Sequence, residues 1–218
     1  QKNSNIWIIK IDNNGNEIWN RTYGGDGWDE GASIISIDLN NFLIIGNTNS
    51  YGNGEDDIWL IKIDNNGNEL WNKTYGGNGD DKPWRIIETT DNGYAVVGRT
   101  DSYGQGATDY WLFKTDSSGN EQWSRTLGGV YNDAGYSVQQ TTDGGYTIIG
   151  LTGSYGAGGH DVWLIKTDSS GNEQWNKTFG GTEDDYGYSV QQTTDGGYII
   201  AGSTWSYGIG YKDIWLIK

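Results

Sequence analysis

The chain has 218 residues, 34% of them hydrophobic, and carries 29 Asp and Glu against 14 Lys and Arg, a formal net charge of −15. An acidic surface of this kind argues against nucleic acid and anionic membranes as partners, because phosphate contacts need a positive face. With no cysteine and no apolar run long enough to cross a bilayer, disulfide scaffolds, thiol chemistry and helical membrane insertion fall away as well.

The mean hydropathy of −0.70 would by itself point to disorder. Twelve Trp and fifteen Tyr oppose that reading, since each ring needs a large area of close packing. Methionine is absent even at position 1, which points to a processed product or an excised fragment, a removed signal peptide being one route to it.

Taken in order, the chain opens with a strand-like run, Ile6–Lys10, a turn, Asp12-Asn13-Asn14-Gly15-Asn16, and a second run, Glu17–Tyr23. Two β-favouring runs around such a turn read as a β-hairpin. The hairpin recurs throughout. Trp7, Trp59, Trp111, Trp163 and Trp215 stand 52 residues apart, as do Trp19, Trp71, Trp123 and Trp175. A period of this length marks a propeller or a related repeat array.

Each full period holds four runs, here a to d. In the last copies a is Tyr188–Thr194, b is Tyr198–Thr204, c is Asp213–Lys218 and d is Glu173–Phe179. Tight Asp-Gly-Gly and Asp-x-x-Gly-Asn turns join a to b and c to d, which predicts an up-and-down meander. Strand c is apolar on both parities (Ile58, Trp59, Leu60, Ile61), strand d alternates, and strand a is rich in Gln and Thr. A polar inner strand, two buried middle strands and a half-exposed outer strand predict an all-β fold, a β-propeller of four-stranded antiparallel blades.

The units run 6–57, 58–109, 110–161 and 162–213, with 214–218 left over, and are expected to form one domain. The chain starts with c and d and ends with a, b and c. Pairing the terminal a–b with the initial c–d would close four blades and leave one c strand surplus. That spare strand, Ile6 and Trp7 at one end or Ile214, Trp215 and Leu216 at the other, would be displaced, added at an edge or exchanged with a neighbouring molecule. If it nucleates a blade of its own, the count is five. A cut through a longer array is the alternative.

DGGYIIAGST at 195–204 and DVWLIKTDSSGNEQWNKTFGG at 161–181 resemble the tandem β-propeller repeats of secreted and cell-surface proteins of archaea and bacteria, and the resemblance covers the whole chain. The first unit departs from it at Leu39-Asn40-Asn41-Phe42. The resemblance implies an extracellular, non-enzymatic module for adhesion, binding or assembly.

Asp29, Asp81, Asp133 and Asp185 share one repeat position, and Asp57, Asp109, Asp161 and Asp213 another. Carboxylates repeated in every unit read as loop-closing groups, with calcium binding or catalysis as the weaker alternatives. Glycosidase chemistry needs two carboxylates in different environments, and only Glu30, Glu55 and Glu88 break the pattern. No catalytic residue and no metal site are therefore predicted. The turn at 12–17 faintly resembles a calcium loop but lacks its length.

Asn20, Asn72 and Asn176 head Asn-x-Thr acceptors on strand d, whereas Ser124 removes the one in the third unit. They are candidate glycosylation sites. The a–b and c–d turns barely change between units, but the d–a and b–c loops do, and recognition belongs on variable loops over a rigid scaffold. Trp28, Trp84, Tyr131, Trp205 and Tyr211, with Arg85, Arg99, His160 and Lys212, fall on that face. Exposed rings there suit sugars or a protein partner. The expected function is a binding or self-assembling surface module, forming an oligomer or filament with itself or binding other surface proteins and glycans. A lectin-like propeller is the alternative, and a glycan-active enzyme a distant third.

Overall fold

A computed structural model of the chain describes residues 3–218. Among these there is no helix. The strands form five antiparallel sheets in chain order: β1 (Ile6–Ile11) with β2 (Glu17–Tyr23); β3 (Asp29–Ser36), β4 (Asn41–Thr48), β5 (Asp57–Asp64) and β6 (Glu69–Tyr75); β7 (Asp81–Glu88), β8 (Tyr94–Thr100), β9 (Asp109–Thr115) and β10 (Glu121–Leu127); β11 (Asp133–Gln140), β12 (Tyr146–Thr152), β13 (Asp161–Thr167) and β14 (Glu173–Phe179); and β15 (Asp185–Gln192), β16 (Tyr198–Thr204) and β17 (Asp213–Ile217). Each is a meander of hairpins, so every strand is paired with its neighbour in sequence.

The sheets stack face to face. The leading face of the second sheet, with Ile44, Trp59, Ile61 and Ile63, covers Ile6 and Tyr23 of the first. Its trailing face, with Leu43, Ile45, Ile58 and Leu60, meets Ile86, Tyr94, Val96 and Trp111 of the third. The same positions recur between the third and fourth sheets and between the fourth and fifth. A strand covered on both faces reads as a continuous apolar run, and every residue of β9 and β13 is buried. The first strands of the second to fifth sheets, β3, β7, β11 and β15, lie beside one another, so the sheets converge along that margin. Neighbours are also tied by backbone bonds, from Asp81 N–H to the Asp56 carbonyl (2.7 Å) and from Asp133 N–H to Thr108 (2.7 Å).

Two expectations need correction. The sequence pattern puts strand a at Tyr188–Thr194, yet β15 starts three residues earlier, at Asp185, and ends at Gln192. A β-bulge between Gly187 and Ser189 breaks the alternation and disguises the strand's beginning as loop. Nor do the terminal a–b and the initial c–d pair to close a ring. β16 pairs with β17, and β1 with β2, so neither c strand is displaced. A hairpin to the adjacent segment brings its strands together across a short loop, whereas end-to-end pairing must close the whole chain. The first and last sheets share no packed core.

Candidate functional site

The b–c loops are less free than their variability implies. After one variable residue (Asn49, Asp101, Gly153 or Trp205) each continues Ser-Tyr-Gly, and the Ser and Tyr are fastened. Ser102 Oγ donates to Asp81 (2.6 Å), Ser154 to Asp133 (2.6 Å) and Ser206 to Asp185 (2.6 Å). The following tyrosines donate to glycine carbonyls of the d–a loop, Tyr103 to Gly76 (2.7 Å) and Tyr207 to Gly180 (2.8 Å), while their rings lie against Trp111 and Trp215. The Asp29 set is thus a loop clasp, each buried carboxylate also accepting a backbone N–H four residues upstream. Only the first residue and the second half of each loop are left to vary.

The other repeated aspartates sit beside these clasps. Asp57 and Asp109 each have an oxygen, Oδ1, that is buried without a hydrogen-bond partner. Burial, opposed by the N–H of Asn53 and reinforced by the Asp81 charge, pushes the Asp57 carboxyl above its usual range. Asp109 and Asp161 are raised in the same way, next to Asp133 and Asp185. The first unit has Asn5 at this position, against Gly24, so a neutral side chain can occupy the place. Among the described residues no three His, Cys, Asp or Glu side chains converge as metal ligands would. The c–d turn aspartates are engaged by their own turns: Asp12 accepts from the N–H groups of Asn14 (2.8 Å) and Asn16 (2.9 Å) and from the Asn16 side chain (3.0 Å).

The converging strands carry a feature that the loops do not. Each has a bulge, between Gly31 and Ser33, Pro83 and Arg85, Gly135 and Ser137, and Gly187 and Ser189. The extra residue, out of register with the ladder, is Ala32, Trp84, Tyr136 or Tyr188. An added Cβ on the opposing strand would collide with the bulged backbone, as at Gly150, which faces the Ala134 carbonyl. The rings so presented meet across successive sheets: Trp84 and Tyr136 edge to face at 5.2 Å, Tyr136 and Tyr188 stacked at 5.9 Å. Tyr186 continues the row at 6.3 Å from Tyr188, and His160 stacks on Tyr186 at 6.0 Å.

Polar groups close both ends of this row. Near Trp84, Lys82 bridges Asp56 and Asp80 (3.1 Å each), and Arg99 pairs with Asp80 (2.6 Å). At the far end Lys212 Nζ lies 5.6 Å from the ring centroids of both Tyr186 and Tyr188 and donates to the Tyr188 hydroxyl (3.2 Å). Asp184 accepts from the His160 backbone N–H (2.9 Å) and the Tyr186 hydroxyl (3.2 Å), and it lies below the ordinary carboxylate range because of the His160 N–H first of all. Burial, with the neighbouring tyrosines, pushes the Tyr136 phenol up to about 12.

Of the expected recognition residues, the structure gathers Trp84 and His160 into this row and leaves Trp28, Trp205 and Tyr211 apart. Arg85 follows Trp84 in β7 and is exposed. Tyr131 and His160 share a hollow of about 540 Å³ with Asn132 and Asp184. The sequence pattern assigns Tyr136, Tyr186 and Tyr188 no recognition role, although Trp84, Tyr136 and Tyr188 keep the 52-residue spacing. Asn20, Asn72 and Asn176 are exposed, and each Nδ2 donates to a glutamate three residues back, Glu17, Glu69 or Glu173, at 2.6 Å. Asn72 and Asn176 also accept from the indoles of Trp59 and Trp163 (3.2 Å each).

The spare-strand residues mark two open faces. Trp7, Ile9 and Ile11 are 61%, 43% and 58% exposed on the leading face of the first sheet, where Trp59, Ile61 and Ile63 are buried in the second. Ile214 and Leu216, 87% and 66% exposed, occupy the trailing face of the last sheet, where Ile58 and Leu60 are buried. Trp215 and Ile6 point the other way, into their own junctions.

No protein-family model matches the chain. A stretch of 124 residues is 28% identical to the regulatory protein FlaEY of Caulobacter vibrioides, covering 50% of this chain and 13% of that protein. The likeness is therefore to a small part of a much longer protein. What the chain itself displays is a stack of repeated antiparallel sheets with an aromatic row along the margin where they converge.

Proposed function

We propose that the chain is an open arc of a β-propeller acting as a non-catalytic structural module at the cell surface or outside the cell, and that it assembles head to tail. The observation that carries this reading is the match between its two ends. The leading face of the first sheet and the trailing face of the last are the two halves of a junction already made four times within the molecule. Fully burying a large apolar side chain from water is worth roughly 1.5–3 kcal/mol, and a partly exposed one contributes in proportion to the area still bare. Six are available, Trp7, Ile9 and Ile11 with Ile199, Ile214 and Leu216. Their sum is comparable with the association cost of about 4–15 kcal/mol, so assembly should depend on concentration. A head-to-tail contact closes into a ring where the rotation allows and otherwise grows into a filament.

The test is sedimentation of the wild type and of two variants, Trp7→Glu and Leu216→Glu, each at an exposed position. The wild type should form species larger than one chain as concentration rises, and each variant alone should stay monomeric. Mixed together, the variants should form one-to-one dimers and nothing larger, because each retains one sound face. A wild type that is monomeric up to about 100 μM, a range in which a specific contact of this kind is populated, would overturn the reading.

A further inference from the structure

We propose that the aromatic row on the bulges of β7, β11 and β15 is a binding site for a neutral oligosaccharide of pyranose units. The proposal is independent of the assembly reading, since these rings lie on the converging margin and not on the end faces.

Three observations lead to it. Two rings of the row are accessible where core rings would not be, Trp84 at 48% and Tyr188 at 47% exposed, with Tyr136 between them half-buried. Their positions are fixed by backbone, through a bulge that aims a side chain out of the ladder. The row crosses three sheets, so it offers a length of ring surface and not a single contact. A pyranose has a face of C–H groups that packs against the electron-rich face of an aromatic ring, and its hydroxyls need donors and acceptors at the edges. Those stand at both ends of the row, Lys82, Asp80 and Arg99 at one and Lys212 and Asp184 at the other.

The charge of the chain selects among ligands that stack. Bases also stack on rings, but a nucleic acid brings phosphates into the field of a chain with net charge −15. An uncharged glycan pays no such penalty. A peptide anchored by apolar side chains would want an aliphatic pocket, and the row has charged residues at its ends instead. The row stops at Ala32, the bulge residue of β3, which bounds the site on that side.

The full chain is titrated by calorimetry and tryptophan fluorescence with hexasaccharides of glucose, mannose, galactose and N-acetylglucosamine. At least one should bind with Kd at or below about 1 mM. Trp84→Ala and Tyr188→Leu should each weaken that ligand by about tenfold or more, as the loss of a stacking anchor does. Trp84→Tyr, which keeps a ring, should retain binding even if the alanine variant proves unstable. Trp205→Ala, off the row, should change nothing, and Ala32→Tyr should strengthen binding by lengthening the row. If none of the four hexasaccharides binds, or if the bound one ignores both Trp84→Ala and Tyr188→Leu while those variants remain folded, the rings are packing and nothing more.

Discussion

Asp57, Asp109 and Asp161 are each buried next to a second carboxylate, and each is displaced upward from its ordinary value of 3.8 by desolvation first and by that neighbour as well. A group that holds its proton more tightly when folded contributes stability that is complete below its unfolded value and is lost as pH rises through the folded one. Asn5 occupies the equivalent place without that liability. Asp57→Asn should therefore unfold at a higher temperature than the parent around neutral pH, and the gap should close below about pH 4, where the parent is protonated too. Thermal scans across that range would check it; a variant less stable than the parent at neutral pH would mean that the charge is needed. Asp91 works in the opposite sense. Burial raises it, but the Lys114 ammonium (2.6 Å) and the Thr89 hydroxyl outweigh that and hold it at about 2. Its contribution is present above about 4 and is lost as pH falls towards 2. Lys114→Ala should move the Asp91 titration upward, as carboxyl NMR shifts would report.

At the scale of the element, the c–d hairpin turn gives a paired comparison. Gly15 and Gly171 hold the same place in it, at φ +84° and +77°. An alanine at either takes on the left-handed strain of about 1–2 kcal/mol. Gly15 has open space around it, whereas Gly171 lies on the Trp123 ring of the preceding sheet. Overpacking there should add about 1–3 kcal/mol. Denaturant unfolding should thus rank Gly171→Ala clearly below Gly15→Ala, and equal losses would mean that the turn does not bear on its neighbour. Strands b and d were legible in the sequence to the residue, as Tyr198–Thr204 and Glu173–Phe179, because turn glycines bound them and their apolar pattern is regular. The a strands were legible only in part. The Gly187 bulge interrupts their period, and the side chain it redirects, Tyr188, looks like an ordinary strand residue until the opposing Gly202 is known.

Across the whole molecule, the packed cores each join adjacent sheets, so stability should behave as a sum over nearest-neighbour junctions. The outer sheets have one junction each and the inner ones two. Amide exchange should be slowest in β4, β5, β8, β9, β12 and β13 and fastest in β1, β2, β16 and β17. Uniform protection from end to end would instead imply a closed and globally cooperative unit. The 52-residue spacing made the repeated sheets readable from Trp7 to Trp215. The state of the ends was not readable, because DVWLI and DIWLI look alike whether both faces are covered, as in β13, or one face is bare, as in β17. Burial is decided by the neighbouring sheet, which the strand's own residues do not encode.

The sameness of the junctions bears on how such a chain can change in length. Removing residues 110–161 would set Val162 directly after Asp109, letting β13 continue the hairpin begun by β7 and β8, and every exposed or covered position would keep its role. Unequal recombination between copies can therefore add or drop whole units without any interface having to be invented, leaving copy number as the easiest dimension for this gene to explore.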